Sequence, residues 1–310
     1  MRLNRMLALG ASMLVLLGAC STGAGSRTPT AGLPTVRIGS DGFYESQLMA
    51  EIYGQALEAK GYKVDRSAMG LGTRAVTAAA LESGKFDLKP EYIGSGLAYY
   101  KGNATGDPAA NAAALQTILN GKGGGITVLD YSPAADQNAF VVRKETADSL
   151  HLTKMSDLTA VQSQLKFGVA TDCPTNPVCG AALQAAYGLD LSKATLLSAC
   201  DTPMAQALLG KTIDVGELCS TQPDIAVNGW DVLNDDKHSQ PADNISPIVR
   251  NDYLAKVDQA SFEKLLNDVS AKMDTATLTS LNKQVAVDHA DVAVVAKAWL
   301  QANGFLPKAS

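Results

Sequence analysis

Histidine is nearly absent from this chain, with three in 310 residues, and His151, His238 and His289 lie far apart. Protein metal centres need clustered His, Cys or carboxylate ligands, so no metal and no other cofactor is expected. Aromatic residues make up only 5% and charged residues 18%. The net charge is −5 and no run of Lys and Arg is present to track phosphates, which excludes nucleic acid as a partner. Long charged or low-complexity tracts are missing, which excludes disorder. Beyond the N-terminus no segment reaches the ~20 apolar residues of a membrane span. What is present in quantity is apolar side chain, 46% of the total. That is enough for real cores, in two domains or one large one.

The N-terminus reads as an address. Arg2 and Arg5 form a positive head, Met6 to Ala19 an apolar stretch too short to span, and Leu17-Gly18-Ala19-Cys20 has the look of a bacterial lipobox. Residues 1–19 are therefore expected to be a signal peptide. Residues 20–34 are expected to be a lipidated Cys20 followed by a flexible Ser, Thr, Gly, Ala and Pro tether. The protein would then sit outside the cytoplasmic membrane, held to the bilayer through Cys20. Removing Cys20 leaves four cysteines, an even number that favours disulfides in an oxidising compartment. Of the three possible connectivities, Cys173–Cys179 with Cys200–Cys219 is favoured, because the first pair brackets the turn-forming Pro174-Thr175-Asn176-Pro177. Zinc is the rival use of these cysteines, but neither a CxxC spacing nor a nearby His supports it.

Short β-like runs alternate with amphipathic helical stretches, which predicts an α/β architecture. Strands are expected at Thr35–Gly39, from Tyr62, at Phe86–Leu88, Thr127–Tyr131, Ala139–Arg143, Lys166–Ala170, Thr212–Gly216, Asp231–Leu233 and Ile248–Arg250. Helices are expected at Glu45–Lys60, Thr73–Ser83, Gly180–Tyr187 and Ala205–Gly210, with one helical region from Asp252 to Asn303. Crossovers near Tyr131–Gln137 and Gln240–Pro247 divide the chain into a discontinuous lobe, 35–133 plus 245–310, and a second lobe, 134–244. A cleft between two such lobes is the natural place for a ligand.

Catalytic patterns fail on inspection. Gly210-Lys211-Thr212 has Ala205 where a phosphate loop needs its first glycine, and Lys211 precedes a strand. Gly94-Ser95-Gly96 has its glycines one residue too close for a nucleophile elbow. Asp235-Asp236 sits in a polar run that reads as solvated surface. An enzyme is not expected.

Several segments together carry a resemblance. They are Ile38-Gly39-Ser40 with Phe43 and Glu45, Ala56-Leu57-Glu58 with Gly61-Tyr62, and Ser83-Gly84-Lys85 with Asp87-Leu88. Pro90-Glu91-Tyr92-Ile93-Gly94-Ser95, Asp235-Asp236-Lys237-His238 and Pro247-Ile248-Val249-Arg250 follow in the same order. The chain thus resembles the glycine betaine, carnitine and choline binding proteins of osmoprotectant ABC importers, a branch of the type II periplasmic-binding fold. The resemblance implies a monomeric two-lobed α/β protein that closes on a small solute and presents it to a membrane permease.

In that family, tyrosine rings cage a trimethylammonium head, whose diffuse charge is drawn to their negative faces. The resemblance assigns ligand-binding positions to Ser40, Asp41, Tyr44, Tyr92, Ser95, Asn138, Phe140, Thr221, Gln222 and Asp243, with Tyr131 at the first crossover facing either the cleft or the hinge. Tyr92 keeps the family tyrosine. Phe140 keeps a ring without its hydroxyl, Asp243 stands where another cage tyrosine would be, Gln222 replaces Asp, and Asp41 and Tyr44 replace Lys and Thr. Two solute classes follow: a quaternary ammonium compound, or a hydroxylated or aromatic solute bound by Asp243, Ser95, Asn138 and Gln222. A sensing lipoprotein without a transport role is a third reading.

Overall fold

The computed structural model describes residues 32–307; the expected signal peptide, Cys20 and most of the tether lie outside them. Ten strands form two five-stranded sheets. The first contains β1 (Val36–Gly39), β2 (Val64–Ala68), β3 (Leu88–Tyr92), β4 (Ile126–Val128) and the late β10 (Ile245–Arg250), in the order β2-β1-β3-β10-β4. The second contains β5 (Asn138–Val142), β6 (Phe167–Ala170), β7 (Thr195–Leu197), β8 (Val215–Cys219) and β9 (Asp231–Val232), in the order β7-β6-β8-β5-β9. Each sheet is mixed, with one strand entering antiparallel between neighbours: β10 between β3 and β4, and β5 between β8 and β9. Both are α/β layers, covered by helices that follow their parallel strands.

The chain passes between the sheets twice, and the two passages are hydrogen-bonded to each other. Ala135 bridges Asn244 in antiparallel fashion, Asp136 N–H donates to the Asp243 carbonyl at 3.0 Å, and Ser132 N–H donates to the Ile245 carbonyl at 2.7 Å. The Asn244 side chain adds a bond to the Ser132 carbonyl at 3.0 Å.

Helix α1 (Tyr44–Glu58) is buried on nearly every side, because it lies between the first sheet and the C-terminal helices. Its Leu48, Met49, Ile52, Tyr53, Ala56 and Leu57 join the main core with Phe262, Leu266 and Trp299. The C-terminal stretch, expected as one helical region, is four helices: Asn251–Leu254, Gln259–Ser270, Thr275–Ala286 and Val292–Ala302. The breaks are caps, since Asp258, Asp274 and Asp291 each accept backbone N–H bonds from the turn that follows. Helix α2 (Arg74–Glu82) falls within its expected span.

The helices without a counterpart in the sequence reading include Lys144–Leu150, Asp224–Val227 and two that bear on the site. Helix α3 (Ile93–Tyr99) begins directly at the end of β3 and contains Gly94 and Gly96, poor helix formers. Its missing cap comes from far along the chain, as Gly94 N–H and Ser95 N–H donate to Asp243 Oδ1 at 2.9 and 3.0 Å. Glycine is required at 94, where an added Cβ would lie 2.4 Å from the Ala242 carbonyl oxygen. Helix α4 (Pro108–Leu119) starts on a local signal, Asp107 capping Ala109 N–H at 2.9 Å with Pro108 in the first turn. Strand β7 was also unassigned. Among the described residues no helix is long and apolar enough to cross a membrane.

Candidate functional site

A cavity of about 270 Å³ opens where the two sheets face each other across the crossovers. That size suits a small solute, just below the range ~300–1,000 Å³ common for ligand pockets. On the first-sheet side it is lined by Asp41 and Phe43 from the β1–α1 loop, Arg74 from the start of α2, Tyr92, Ser95 and Asp243. On the second-sheet side it is lined by Asp136, Asn138, Asp172, Asn176 and Glu217, and by the Cys200–Cys219 disulfide.

The first-sheet side rests on a buried ion network. Lys89 is fully buried, and its ammonium donates to Asp41 Oδ1 at 2.8 Å, Thr77 Oγ1 at 3.1 Å and Glu91 Oε2 at 3.2 Å. Thr77 also donates to Asp41. Arg74 Nε donates to Glu91 Oε1 at 2.9 Å. Burial works to raise the Glu91 pKa, but Lys89 and Arg74 outweigh it and hold the carboxyl at about 2. Every charge here has a partner, as burial demands.

Tyr92 closes the floor. Its hydroxyl donates to Glu45 Oε1 at 2.7 Å, and its ring lies 5.5 Å from that of Phe43 at 42°. Glu45 is a hub, since Thr221 Oγ1 and Asn282 Nδ2 each donate to its Oε2 at 2.5 Å. It thereby ties α1 to the end of β8 and to the helix Thr275–Ala286. Burial raises the pKa of Glu45 and, more strongly, that of Asp136, where the nearby Glu45 adds repulsion. Asp136 accepts from Thr221 N–H at 3.0 Å. Asp243, besides capping α3, accepts from the Ser95 hydroxyl. Burial raises its pKa to about 6, with the Arg74 charge and the Ser95 bonds pulling the other way.

Of the residues the sequence pointed to, Asp41, Tyr92, Ser95, Asn138 and Asp243 line this cavity together. The others do not. Phe140 is 1% exposed and packs in the second-sheet core with Phe167, Leu183 and Val215, because its strand is flanked by β8 and β9 and this face is covered by a helix. Tyr131 packs beside Leu115 and Ile126 under α4, away from the cleft. Ser40 is buried and shapes the loop, accepting from Gly70 N–H at 2.8 Å. Tyr44 is half-buried at the start of α1, outside the lining. Thr221 spends its hydroxyl on Glu45, and Gln222 is turned toward the Asp201 carbonyl, 3.3 Å away.

The sequence reading missed Arg74, Asp136, Asp172 and Glu217 as lining residues. Each is an isolated charge in a helix start, crossover, loop or strand, with no local pattern to mark it. Phe43 and Glu45 stood in the resemblance itself but had been given no role. The cysteines form Cys173–Cys179 and Cys200–Cys219. With all four sulfurs so bonded, the two groupings of cysteines with Asp136 and with Glu217 are not thiolate metal sites.

Residues 34–302 match the family model described as the substrate binding domain of ABC-type glycine betaine transport systems. The chain is 28% identical to the glycine betaine-binding protein YehZ of Escherichia coli K12, over 97% of this chain and 99% of that one. It is 25% identical to a glycine-betaine-binding protein of Pseudomonas aeruginosa, over 88% and 89%. The solved structure of apo YehZ from E. coli superposes with a TM-score of 0.62 at 25% identity, covering 88% of this chain and 99% of that one. A crystal structure titled as a glycine betaine/carnitine/choline ABC transporter gives 0.68 at 24% identity, covering 87% and 99%, and supports the two-lobed fold. Matched over nearly all of its described length, the chain belongs to the family of substrate-binding domains of ABC-type glycine betaine transport systems.

Proposed function

We propose that this protein captures a small organic ammonium solute of the glycine betaine, choline or carnitine kind between its two lobes and delivers it to an ABC permease. Cys20 would hold it at the outer face of the cytoplasmic membrane, and a single copy would suffice, since the cleft is built from one chain. The lobes would be 35–133 plus 245–310 and 134–244, the paired crossovers serving as the hinge. The observation that carries the reading is the cleft floor: the Tyr92 and Phe43 rings beside a wall of carboxylates, a combination suited to a cation that offers few hydrogen bonds. Asp41, Tyr92, Ser95, Asn138 and Asp243 are the solute-side residues from the sequence reading, joined by Phe43, Arg74, Asp136 and Glu217.

The test is a thermal-shift screen of the purified protein with betaines, choline, carnitine, amino acids, sugars, polyols and phenolic compounds. A solute that binds only the folded state raises the midpoint, by about 2.7 kcal/mol of stability at 100 times its Kd. A shift with a trimethylammonium solute supports the reading. A shift confined to sugars, polyols or phenolic compounds overturns it in favour of the hydroxylated class.

A further inference from the structure

Strand β8 carries a carboxylate in an unusual position. Glu217 is 1% exposed, in a strand flanked by β6 and β5, yet it lines the cleft. Its Oε2 accepts from Ala170 N–H at 2.7 Å and lies 3.4 Å from Cys179 Sγ, which as half of a disulfide has no hydrogen to give. Among the described residues no donor reaches Oε1, and this oxygen is not among the atoms sealed from the cavity. One oxygen is thus committed to the backbone and the other is turned to the space where a solute would lie.

The charges around it are unbalanced. Asp172 from the loop after β6 and Asp136 from the first crossover face the same space, and no Lys or Arg lines the second-sheet side. Across the cleft, Asp41 and Asp243 are satisfied by Lys89, Thr77, Ser95 and backbone amides. Arg74, the lining cation, gives its Nε to Glu91 at 2.9 Å, while its two terminal nitrogens have no protein partner among the described residues and lie on the first-sheet side. A buried carboxylate without a counter-ion is costly, and the missing positive charge is one a solute can supply.

We propose that Glu217 is the specificity-determining residue of this cleft, the counter-ion for an organic cation that also carries a hydroxyl or N–H donor. It favours a choline-like amino alcohol or a protonated amine over a zwitterionic betaine, whose carboxylate would be repelled by Asp136, Asp172 and Glu217 and would find its one cation, Arg74, across the cleft. This rests on the reading that the solute is an organic ammonium compound. Burial, with Asp172 adding repulsion and Ala170 N–H opposing, holds the Glu217 carboxyl up at about 7. A cation that needs the ionised form binds about fourfold more tightly at pH 8.0 than at pH 6.5.

The experiment is titration calorimetry of the purified full chain with choline and with glycine betaine at both pH values, repeated for Glu217→Gln and Glu217→Asp. The parent is expected to prefer choline by about tenfold and to show the pH slope. Glu217→Gln should lose about tenfold in choline affinity and flatten the slope to what Asp136 and Asp243 leave, while Glu217→Asp keeps part of both. The thermal midpoint of Glu217→Gln at pH 8.0 should match or exceed the parent's, which separates lost recognition from lost fold. Choline binding unchanged in Glu217→Gln, or a parent that prefers glycine betaine, overturns the proposal and leaves the ammonium reading standing. If neither solute nor carnitine binds the parent, the ammonium reading falls and the proposal falls with it.

Discussion

Replacing Lys89 with Met tests whether the cleft floor is held by charge or by packing. The ammonium is fully buried and contacts Asp41 at 2.8 Å and Glu91 at 3.2 Å. Met fills similar space with no charge, leaving two buried carboxylates short of their cation. Breaking a buried pair from one side costs ~3–5 kcal/mol. Here the lower end applies, because Glu91 keeps Arg74 and the Tyr92 amide while Asp41 keeps Thr77. At ~2–4 °C per kcal/mol for a chain of this size, the midpoint at pH 7 should fall by about 6–12 °C. The pH dependence supplies the sign. Glu91 is depressed in the folded state, so its contribution is present above the ordinary carboxylate pKa and is lost as pH falls toward about 2. The deficit of the variant should therefore shrink as pH is lowered from 6 toward 3. Differential scanning calorimetry across that range reads both effects. A variant within about 2 °C of the parent at pH 7 would refute the charge argument.

Three further outcomes are expected. Tyr92→Phe keeps the ring and loses the bond to Glu45, so ammonium affinity by calorimetry should stay within about threefold, whereas Tyr92→Ala should lose ~0.5–2 kcal/mol of cation–π attraction and more through the void. Thr221→Val removes one donor from the buried Glu45 and should cost ~1–3 kcal/mol in a denaturant melt; no measurable change would mean that the hub does not hold the lobes. Phe140→Ala should destabilise by ~3–5 kcal/mol yet leave solute affinity of the folded fraction within about twofold, a result that a ligand-contacting Phe140 would contradict.

Much of the fold was legible because it rests on local signals. Helix Gly180–Tyr187 matches its expected bounds, and most expected strands fall within a few residues of observed ones. The failures have a common physical form. Helix α3 depends on Asp243, nearly 150 positions away, for its cap, and no local rule can see that. Phe140 and Glu217 are opposed in register on adjacent strands, one closing a core and the other lining the cleft edge. Strand pattern alone does not say which. The Asp107-Pro108 start of α4 was a readable signal that went unread. For the site, resemblance found those positions where the family motif itself touches the cleft, such as Tyr92 and Ser95. It pointed to Phe140 and Gln222 as well, which do not line the cavity, while Tyr131, left open between cleft and hinge, packs under α4.

The pairing of the two crossovers has a mechanical consequence. Two strands bonded side by side bend as a ribbon more easily than they twist, so the proposed closure of the lobes would be steered toward a single rotation about that ribbon. Asp136 and Asp243 sit on the axis, joined by their own backbone bond at 3.0 Å. Side chains on an axis sweep through little distance, so the Asp243 cap on α3 and the Asp136 bond to Thr221 travel as fixed bearings. Glu217 on β8 and Arg74 at the start of α2 stand on opposite sides of the cleft and would move with their sheets in that closure. A cation held between the sheets would draw the two sides together across the ribbon.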